Sequence, residues 1–557
     1  MTWRRWLGAA VVAVALAVPA VWFGVTTAQT EYAFGPHQAT YQVTLNGRLT
    51  VDMGPVGSLV APTRLSWPLD FAGLKVVVGA IPEALEVPID AQSLADSASE
   101  YAVFFGAMDV VAAAVGHGLV VDALIRAGLV WGGLLLAAAA LAVLLGRRRL
   151  GELASFWRRR RLTTVAIVAG LLVGGFGLEG WRVRSMVRAE GTLVASPVFE
   201  GTVLEGARVT GRLGQALDDY GAQALQAYHQ TTEFYEQAAQ SARSALEVQV
   251  AMAQFHGPPE PLAATGRWGG GPYGGLRPVV VASDLHCNVG MAQVVGAVAQ
   301  GTGARVVLDA GDITMDGTSV EAYCVDGAAQ AYGSDVTVVA VGGNHDTALS
   351  AEQESAAGMT VLAGEVVEVE GLRLLGDADW AHTSLAQGTI GGSETATQLG
   401  RRLGGLACDD PVDLLLVHDP QVARIALERG CAPLAISGHM HARSGPEVVG
   451  RGLAFTASST GRDVAERTVV GPLGAPAEVP VLLLNSMGRL VAIQIVTVQP
   501  DATVSLSPIQ VVPVVPSLAP EPPDAGAVVG DGPSSPVAPQ SFLVPISTNW
   551  SDPANGM

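Results

Sequence analysis

Cysteine is scarce in this chain, and its spacing excludes one common kind of metal site. Four cysteines occur among 557 residues, at Cys287, Cys324, Cys408 and Cys431. None forms a Cys-x-x-Cys pair, so we expect no structural zinc clip built on thiolates.

Basic and charged residues are also few. The chain has 32 Lys and Arg against 51 Asp and Glu, a formal net charge of −19. Binding to nucleic acid through its phosphates needs a basic stripe, so we expect no nucleic-acid partner. Charged residues make up only 15% of the chain and apolar residues 49%, a balance that indicates membrane segments.

Three runs are apolar over about the length that a bilayer core requires. They cover residues 7–25, 129–146 and 162–178. The first run, within a predicted anchor at residues 1–28, could instead be a cleaved signal peptide, although it is longer than a usual signal core. We therefore expect three transmembrane helices with the first one retained.

The arginines predict how these segments are oriented. Seven arginines and a single acidic residue, Glu152, lie at residues 147–161, and Arg4 and Arg5 precede the first run. By the positive-inside rule both regions are cytoplasmic, so everything after residue 180 lies outside the cytoplasm of a multi-pass cell-membrane protein. The apolar cores contain no charged residue, which argues against a channel or transporter.

Two further regions precede the last large domain. Residues 29–100 are predicted to form a small β-rich outer module, with a hairpin at Asn46-Gly47 between residues 39–45 and 48–53. Residues 101–182 are predicted to form a helical hairpin that contains the second and third apolar runs.

Residues 183–275 combine a strand-like run, a long helix and a Gly/Pro-rich linker. Apolar residues recur at three- and four-residue intervals along residues 212–254. That stripe fits the seam of a coiled-coil homodimer, and it fits equally well a single helix packed on the neighbouring domain. At the other end of the chain, residues 501–557 are rich in Pro and Ser and are predicted to be disordered.

Metal-capable side chains follow five strand-like runs in the second half of the chain. Five of the ten histidines of the chain are among them. Because open α/β sheets build their sites at the carboxyl ends of strands, we expect these side chains to converge. In chain order they are Asp284, His286, Asp312, Asn344, His345, Asp346, His418, His439 and His441.

The donor set itself indicates a type of chemistry. Carboxylate, imidazole and amide donors without thiolate suit Mn, Fe or Zn rather than a calcium cage. Two such cations a few Å apart can activate water and stabilise the departing oxygen of a phosphate ester. The pattern therefore predicts two divalent metal ions and hydrolysis of a phosphate ester.

The order Asp-x-His, Gly-Asp, Gly-Asn-His-Asp, His and Gly-His-x-His resembles the calcineurin-like metallophosphoesterase family over residues 279–441, here as a membrane-anchored bacterial member. The resemblance implies an α/β fold, a four-layer α/β/β/α sandwich, at residues 276–500. It also implies the ligands: Asp284, His286 and His441 for one metal, Asn344, His418 and His439 for the other, and Asp312 as the bridge. His345 is then a general acid or charge stabiliser, and Asp346 orients its ring.

These observations together predict a membrane-anchored, outward-facing phosphoesterase that hydrolyses a phosphomonoester, phosphodiester or pyrophosphate bond. The membrane tether makes a lipid-linked or envelope-derived substrate attractive. A rim loop at residues 376–382 is the expected place for substrate selection. The alternative is a receptor or scaffold whose phosphoesterase domain only binds a phosphorylated ligand.

An extracytoplasmic location also bears on the cysteines. An even number in an oxidising compartment favours disulfides. Of the three connectivities, Cys287 with Cys324 and Cys408 with Cys431 close the shortest loops. Alternatively, Cys287 is a free thiol beside the expected ligand His286.

Overall fold

The structure is a computed structural model, and it describes residues 3–35, 37–54, 57–63, 71–79, 104, 107–159, 194–195, 206–210, 212–256, 273, 275–384, 388–461 and 471–513. All of them belong to one compact unit, Met1–Val515. The predicted third apolar run at residues 162–178 lies outside the described residues.

Eight α-helices are described, with a short 3-10 helix at Ser319–Glu321. In chain order they are α1 (Trp3–Thr26), α2 (Met108–Arg159), α3 (Arg212–His256), α4 (Val289–Thr302), α5 (Ala322–Tyr332), α6 (Ala348–Ala356), α7 (Ala396–Asp409) and α8 (Pro420–Arg429).

The described strands form four sheets. The first has the order β1-β2-β5-β3-β4-β7-β6, the second β11-β10-β9-β8-β20-β21-β22 with β23 also on β21, the third β12-β13-β16-β17-β19-β18, and the fourth is the pair β14-β15. Their bounds are β1 (Gln29–Phe34), β2 (His37–Thr44), β3 (Arg48–Asp52), β4 (Ser58–Pro62), β5 (Gly73–Val78), β6 (Val194–Ala195), β7 (Arg208–Val209), β8 (Arg277–Ala282), β9 (Val306–Asp309), β10 (Thr337–Ala340), β11 (Thr360–Val361), β12 (Val367–Val369), β13 (Leu372–Leu375), β14 (Ala381–Ser384), β15 (Gly388–Gly391), β16 (Leu414–Leu416), β17 (Leu434–Ser437), β18 (Ser444–Val449), β19 (Gly452–Thr456), β20 (Ala477–Leu484), β21 (Leu490–Val498), β22 (Val504–Leu506) and β23 (Gln510–Val511).

The second and third sheets share one buried apolar cluster. Alternate residues of a strand point to opposite faces, so Val279 and Val281 of β8 belong to this cluster while Val280 faces helices α3, α4 and α5. On the third sheet, Leu415 of β16 faces away from the shared cluster and joins residues of α7 and α8. Strands β8, β9 and β10 are parallel neighbours, and so are β16 and β17, so their carboxyl ends lie together at the edges of the sheets.

The predicted hairpin at Asn46-Gly47 is wrong. Strands β2 and β3 are not neighbours, because β5 lies between them, antiparallel to β2 and parallel to β3. The Asn46 side chain accepts hydrogen bonds from the Arg48 amide at 3.0 Å and the Thr44 hydroxyl at 2.9 Å, which turns the chain locally. Gly73 lets β5 enter this space, since a Cβ there would lie 2.3 Å from Asn46 Oδ1.

The first sheet packs directly on the phosphoesterase-like region. Phe104 links the two, with its ring centroid 5.2 Å from that of Phe34 in β1 and 5.7 Å from that of Tyr323 in α5. The Tyr32 hydroxyl donates to the Asp326 carboxylate, and Gln38 Nε2 donates to Ser319 Oγ at 2.6 Å. The predicted outer module is therefore part of a continuous packed structure.

Helix α3 was predicted either to form a coiled-coil homodimer or to pack as a single helix on the neighbouring domain. The structure distinguishes these alternatives for its carboxyl-terminal half. Tyr235 and Leu246 are buried, and they pack where α4 carries Gly290 and Gly301. This half is thus a single helix packed on the neighbouring domain. The homodimer predicted through residues 212–254 stays a prediction.

The expectation of three transmembrane helices is not supported. Among the described residues, one helix is long and apolar enough to cross a membrane, Val110–Gly146, with 37 residues and mean hydropathy 2.3. The apolar part of α1, Ala10–Thr26, is shorter. The helix that contains the second apolar run begins earlier than residue 129, because the preceding segment continues it as one helix.

The predicted disordered tail at residues 501–557 is also wrong for its first residues. Strands β22 and β23 pair with β21, and Ala502, Ile509 and Val512 are buried. This segment completes the second sheet. Residues 514–557 lie outside the described residues.

Both predicted disulfides are confirmed. Cys287 is bonded to Cys324 and Cys408 to Cys431, and no described cysteine is free. The alternative of a free thiol at Cys287 is therefore wrong. The first bridge ties the residue after His286 to helix α5, and the second ties α7 to the end of α8.

Glu354 of α6 carries a buried carboxyl group that lacks a hydrogen-bond partner among the described residues. Its side chain is fully buried, and neither carboxylate oxygen has a hydrogen-bond partner. Burial, with the negative charges of Asp346 and Asp309, raises the pKa of Glu354 well above its usual value. The side chain is therefore held in its neutral form in the folded protein.

We expect Glu354→Met to stabilise the protein more at pH 8 than at pH 5. The folded-state pKa is raised, so the wild type loses stability as pH rises above the pKa of the unfolded chain. Removing the uncompensated carboxyl group should add about 1–3 kcal/mol at pH 8. Urea unfolding at both pH values measures this. Glu352→Met, at an exposed position two residues away, is the matched control, and equal changes at both pH values would contradict the prediction.

Candidate metal centre

Five of the predicted metal ligands have a left-handed backbone conformation. Their φ angles are 52° at Asp284, 46° at His286, 60° at Asp312, 69° at His439 and 50° at His441. A non-glycine residue in this region costs of order 1–3 kcal/mol, and such residues cluster at functional sites. Each follows a strand end, so the strained backbone turns the side chain into the space between the sheets' edges.

One half of the centre is formed by Asp284, His286 and His441. The His286 and His441 Nε2 atoms are 3.3 Å apart, and His441 Nε2 lies 3.3 Å from Asp284 Oδ1. Asp284 and His286 are buried, and the three donor atoms lie within 4.8 Å of one another. His286 Nδ1 is buried and has no hydrogen-bond partner among the described residues.

The other half is formed by Asn344, His418 and His439. Asn344 Oδ1 lies 3.0 Å from His418 Nε2 and 2.8 Å from His439 Nδ1. Asp312 lies between the halves, with its Oδ2 3.1 Å from His418 Nε2 and 4.0 Å from His286 Nε2. All seven residues predicted as ligands are thus brought together.

The donor atoms fit bound cations. The Ala310 carbonyl lies 2.7 Å from His418 Nδ1 and can only accept, so Nδ1 carries the hydrogen. In the neutral ring the Nε2 lone pair then faces the Asp312 carboxylate and the Asn344 carbonyl oxygen. Converging acceptors of this kind repel one another unless a positive charge lies among them.

The pKa shifts of the charged residues also indicate that positive charge is favoured at the site. Burial alone would raise the pKa of Asp312, but His418 and His286 lower it well below its usual value. Burial would lower the pKa of His418, and the Asp312 carboxylate instead raises it far above the ordinary value. The Asp312 carboxylate therefore favours a positive charge beside it, which a proton on His418 or a bound cation would supply.

Two glycines allow the ligands to approach this closely. A Cβ on Gly343 would lie 2.1 Å from Asp312 Oδ1, and a Cβ on Gly438 would lie 1.8 Å from Ser283 Oγ and 2.9 Å from Asp284 Oδ2. Neither position can carry a side chain without moving a ligand. The glycines beside Asn344 and His439 are thus required for packing around the centre.

His345 lies at the centre, but Asp346 does not orient its ring as predicted. The Met315 carbonyl oxygen lies 2.7 Å from His345 Nδ1, and it can only accept. The His345 ring is 5.0 Å from that of His286, centroid to centroid. The partner of the ring is therefore a backbone carbonyl.

Asp346 instead holds the backbone under the site. Its Oδ2 accepts from the Asp312 amide at 2.7 Å and from the Gly343 amide at 2.9 Å, and its Oδ1 accepts from the Thr314 hydroxyl at 2.7 Å. A carboxylate fits this place because the backbone offers only donors there. The sequence could not distinguish this role from ring orientation, since both need an acceptor next to His345.

The rim loop at residues 376–382 lies against the centre. The Asp379 amide donates to the Gly342 carbonyl at 2.9 Å, and the Thr383 amide donates to the Asn344 carbonyl at 2.6 Å. Burial raises the pKa of Asp379, while the neighbouring His418 and His439 oppose that effect. Asp379 belongs to the rim loop that was predicted to select the substrate, whereas Met315 is a site residue that sequence reasoning missed, because its contribution is a backbone atom.

Comparison with known proteins identifies this region. The family model described as calcineurin-like phosphoesterase matches residues 277–443. Residues 277–443 form a calcineurin-like phosphoesterase domain. No curated protein matches the chain.

Several solved structures are similar to part of the chain. A phosphoesterase from E. coli is 15% identical and covers 42% of this chain and all of its own, with a TM-score of 0.22. A dimetal phosphatase from Danio rerio is 12% identical over 42% of this chain and 98% of its own, with a TM-score of 0.27. An archaeal phosphodiesterase is 13% identical over 37% of this chain and 92% of its own, with a TM-score of 0.24.

We expect the domain to bind two divalent ions that stabilise it. Adding Mn²⁺ or Zn²⁺ to chelator-treated protein should raise the melting temperature, since an ion at 100 times its Kd adds about 2.7 kcal/mol. Asp312→Asn should bind fewer than two ions by elemental analysis and show a smaller rise, because the bridging charge is lost. Asp335→Asn, at an exposed position, should behave as the wild type. An unchanged metal content in Asp312→Asn would contradict the bridging role.

Proposed function

We propose that this protein is a metal-dependent phosphoesterase that hydrolyses a phosphomonoester, phosphodiester or pyrophosphate bond. The observation that supports this most is the convergence of two donor groups that share one buried carboxylate. The first is Asp284, His286 and His441, and the second is Asn344, His418 and His439, with Asp312 between them. A single-ion structural site would not need a shared ligand.

The residues present would hold Mn, Fe or Zn ions, for which mixed carboxylate, imidazole and amide donors are suited. Two bound ions lower the pKa of a water molecule and neutralise charge on the phosphoryl oxygens. The Ala310 carbonyl fixes the tautomer of His418, as partners behind a metal-binding imidazole do. The strained backbone at the ligands keeps these side chains in place before any substrate arrives.

His345 would donate a proton to the departing oxygen. Because Nδ1–H is held by the Met315 carbonyl, Nε2 is the ring nitrogen left to face a substrate, and the proton it would donate is the second proton of the imidazolium ring. The His345 amide donates to Asp312 Oδ1 at 2.8 Å, which ties the ring's position to the bridging carboxylate. Donation from a ring fixed in this way is worth about 10²–10⁴-fold in rate.

The second candidate function is a receptor or scaffold that binds a phosphorylated ligand without turnover. It would need the cations, but not a ring nitrogen placed beside them. The fixed orientation of His345, with a hydrogen-bond partner of its own, favours the enzyme.

We further propose that the helix segment Val110–Gly146 crosses a membrane and that the apolar run at residues 162–178 crosses it again, which would bring the phosphoesterase domain to the outer side. Exposed apolar side chains along Val110–Gly146, such as Leu129, Leu136 and Leu144, would face lipid. Arginines at residues 147–149 follow it and favour the cytoplasm. Two disulfides in the domain suit an oxidising compartment. A lipid-linked or envelope-derived phosphate ester would then be within reach.

We expect His345→Ala to keep both metal ions and to lose turnover by about 10²–10⁴-fold on substrates with poor leaving groups, such as alkyl phosphates. The loss should be smaller on nitrophenyl phosphate, because a stable leaving anion needs little protonation. Metal analysis and turnover of the full-length protein in detergent, with both substrate types, measure this. Equal losses on the two substrates would remove the proton-donor role, and no turnover by the wild type with any metal would favour the binding protein.

The orientation can be tested separately. A reporter that fluoresces only in the cytoplasm should stay dark when fused after Met557 and should light up when inserted near Gly151. The reverse pattern would place the phosphoesterase domain inside. The same fusions carrying Ser in place of all seven arginines at residues 147–161 should show a mixed pattern, because the orienting charges of this segment are gone.

A further inference from the structure

The loop at residues 315–318 carries the atom that holds His345. It follows Asp312, and its first carbonyl, that of Met315, accepts the hydrogen bond from His345 Nδ1 at 2.7 Å. A carbonyl can orient a ring only if the backbone that carries it is itself fixed. The question for the site is therefore what fixes this loop.

Glu321, in the 3-10 helix, holds the loop through its backbone donors. Its Oε1 accepts from the Met315 amide at 2.6 Å and from the Asp316 amide at 3.2 Å. Its Oε2 accepts from the Thr318 amide at 2.8 Å and from the Thr318 hydroxyl at 2.9 Å. One side chain thus accepts from almost every donor that the loop presents on this side.

The Glu321 carboxylate faces the loop and not the solvent. The residue is buried, with 8% of its surface exposed, and burial raises the pKa of its carboxyl group while the hydrogen bonds from Thr318 and Met315 oppose that effect. A buried carboxylate without such donors would be costly. The loop and the carboxylate therefore stabilise each other.

Two other contacts fix the loop from different directions. The Thr347 hydroxyl, next to Asp346, donates to the Gly317 carbonyl at 2.6 Å. The Met315 side chain is buried in the apolar cluster that contains Phe104 and Tyr323. The 3-10 helix that carries Glu321 is in turn contacted by β2, where Gln38 bonds Ser319.

We propose that Glu321 is a positioning residue for His345 and acts through the Met315 backbone. This rests on the proposed function, since it assigns to Glu321 the task of keeping the His345 ring aimed at the departing oxygen. Glu321 touches neither substrate nor metal ligands in this role. An amide in its place offers one acceptor oxygen, and its NH₂ group would face backbone donors, so the loop would shift and the ring with it.

A double-mutant cycle of the full-length protein tests this. Glu321→Gln alone should lower kcat on an alkyl phosphate by about 10–100-fold, the effect of misplacing a catalytic group by about 1 Å. It should lower kcat on nitrophenyl phosphate much less, and it should leave KM and metal content unchanged. In a His345→Ala background it should cause no further loss, because the ring through which it acts is gone. Glu352→Gln, on the surface of α6, is the matched control and should have no effect.

The outcomes separate this proposal from the proposed function. Glu321→Gln could lower kcat equally in the wild-type and His345→Ala backgrounds, or equally on both substrates. Either result would show a general structural role for Glu321 and overturn the proposal. No loss at all would also overturn it, while a leaving-group-dependent loss in His345→Ala would leave the proposed function intact. If Glu321→Gln does not fold, Glu321→Asp, which keeps the charge but shortens the reach, should show the same pattern at smaller size. Additive losses for that variant would overturn the proposal too.

Discussion

The structure depends on one constraint, the need to place a positive charge beside the buried carboxylate of Asp312. Its Oδ2 faces the Nε2 atoms of His418 and His286, and its Oδ1 accepts from the His345 amide. An uncompensated charge in this interior would cost several kcal/mol, so cations bound among these donors would stabilise the site. The shared cluster between the two sheets supplies the rigid walls on which this arrangement rests.

The price of the arrangement is local backbone strain, and the surrounding fold offsets it. Left-handed φ angles at several ligands are tolerated because the strands before them are fully buried on both faces, as at residues Val279 to Ala282 of β8. Asp346 adds to this by bonding the Asp312 and Gly343 amides, which fixes the turn that carries the bridging ligand. Flexibility at the strand ends would cost the site its preorganisation.

The convergence of the site residues could be predicted from the sequence because it follows from a simple rule. Parallel strands end at one edge, so metal-capable residues placed after strand-like runs must meet. The disulfides followed from loop length in the same way. The position of β5 between β2 and β3 could not be predicted, because its pairing depends on the absence of a side chain at Gly73 rather than on any local signal. The hydrogen-bond partner of the His345 ring could not be predicted either. It is a backbone carbonyl, which every residue has, so no residue type in the sequence points to it.

The shared packing of the first sheet and the phosphoesterase domain determines how helix α2 would hold the domain at a membrane. Val115 of α2 is buried in the apolar cluster that contains Cys287, Met315 and Tyr323. In the chain, Cys287 directly follows the predicted ligand His286. The same helix continues without a break to Val120, where its exposed apolar side chains begin. At about 1.5 Å per residue these points are roughly 8 Å apart along the helix. A rigid helix of fixed length therefore holds the domain, whereas a flexible linker would let it sample many heights. In a bilayer this arrangement would hold the domain close to the surface.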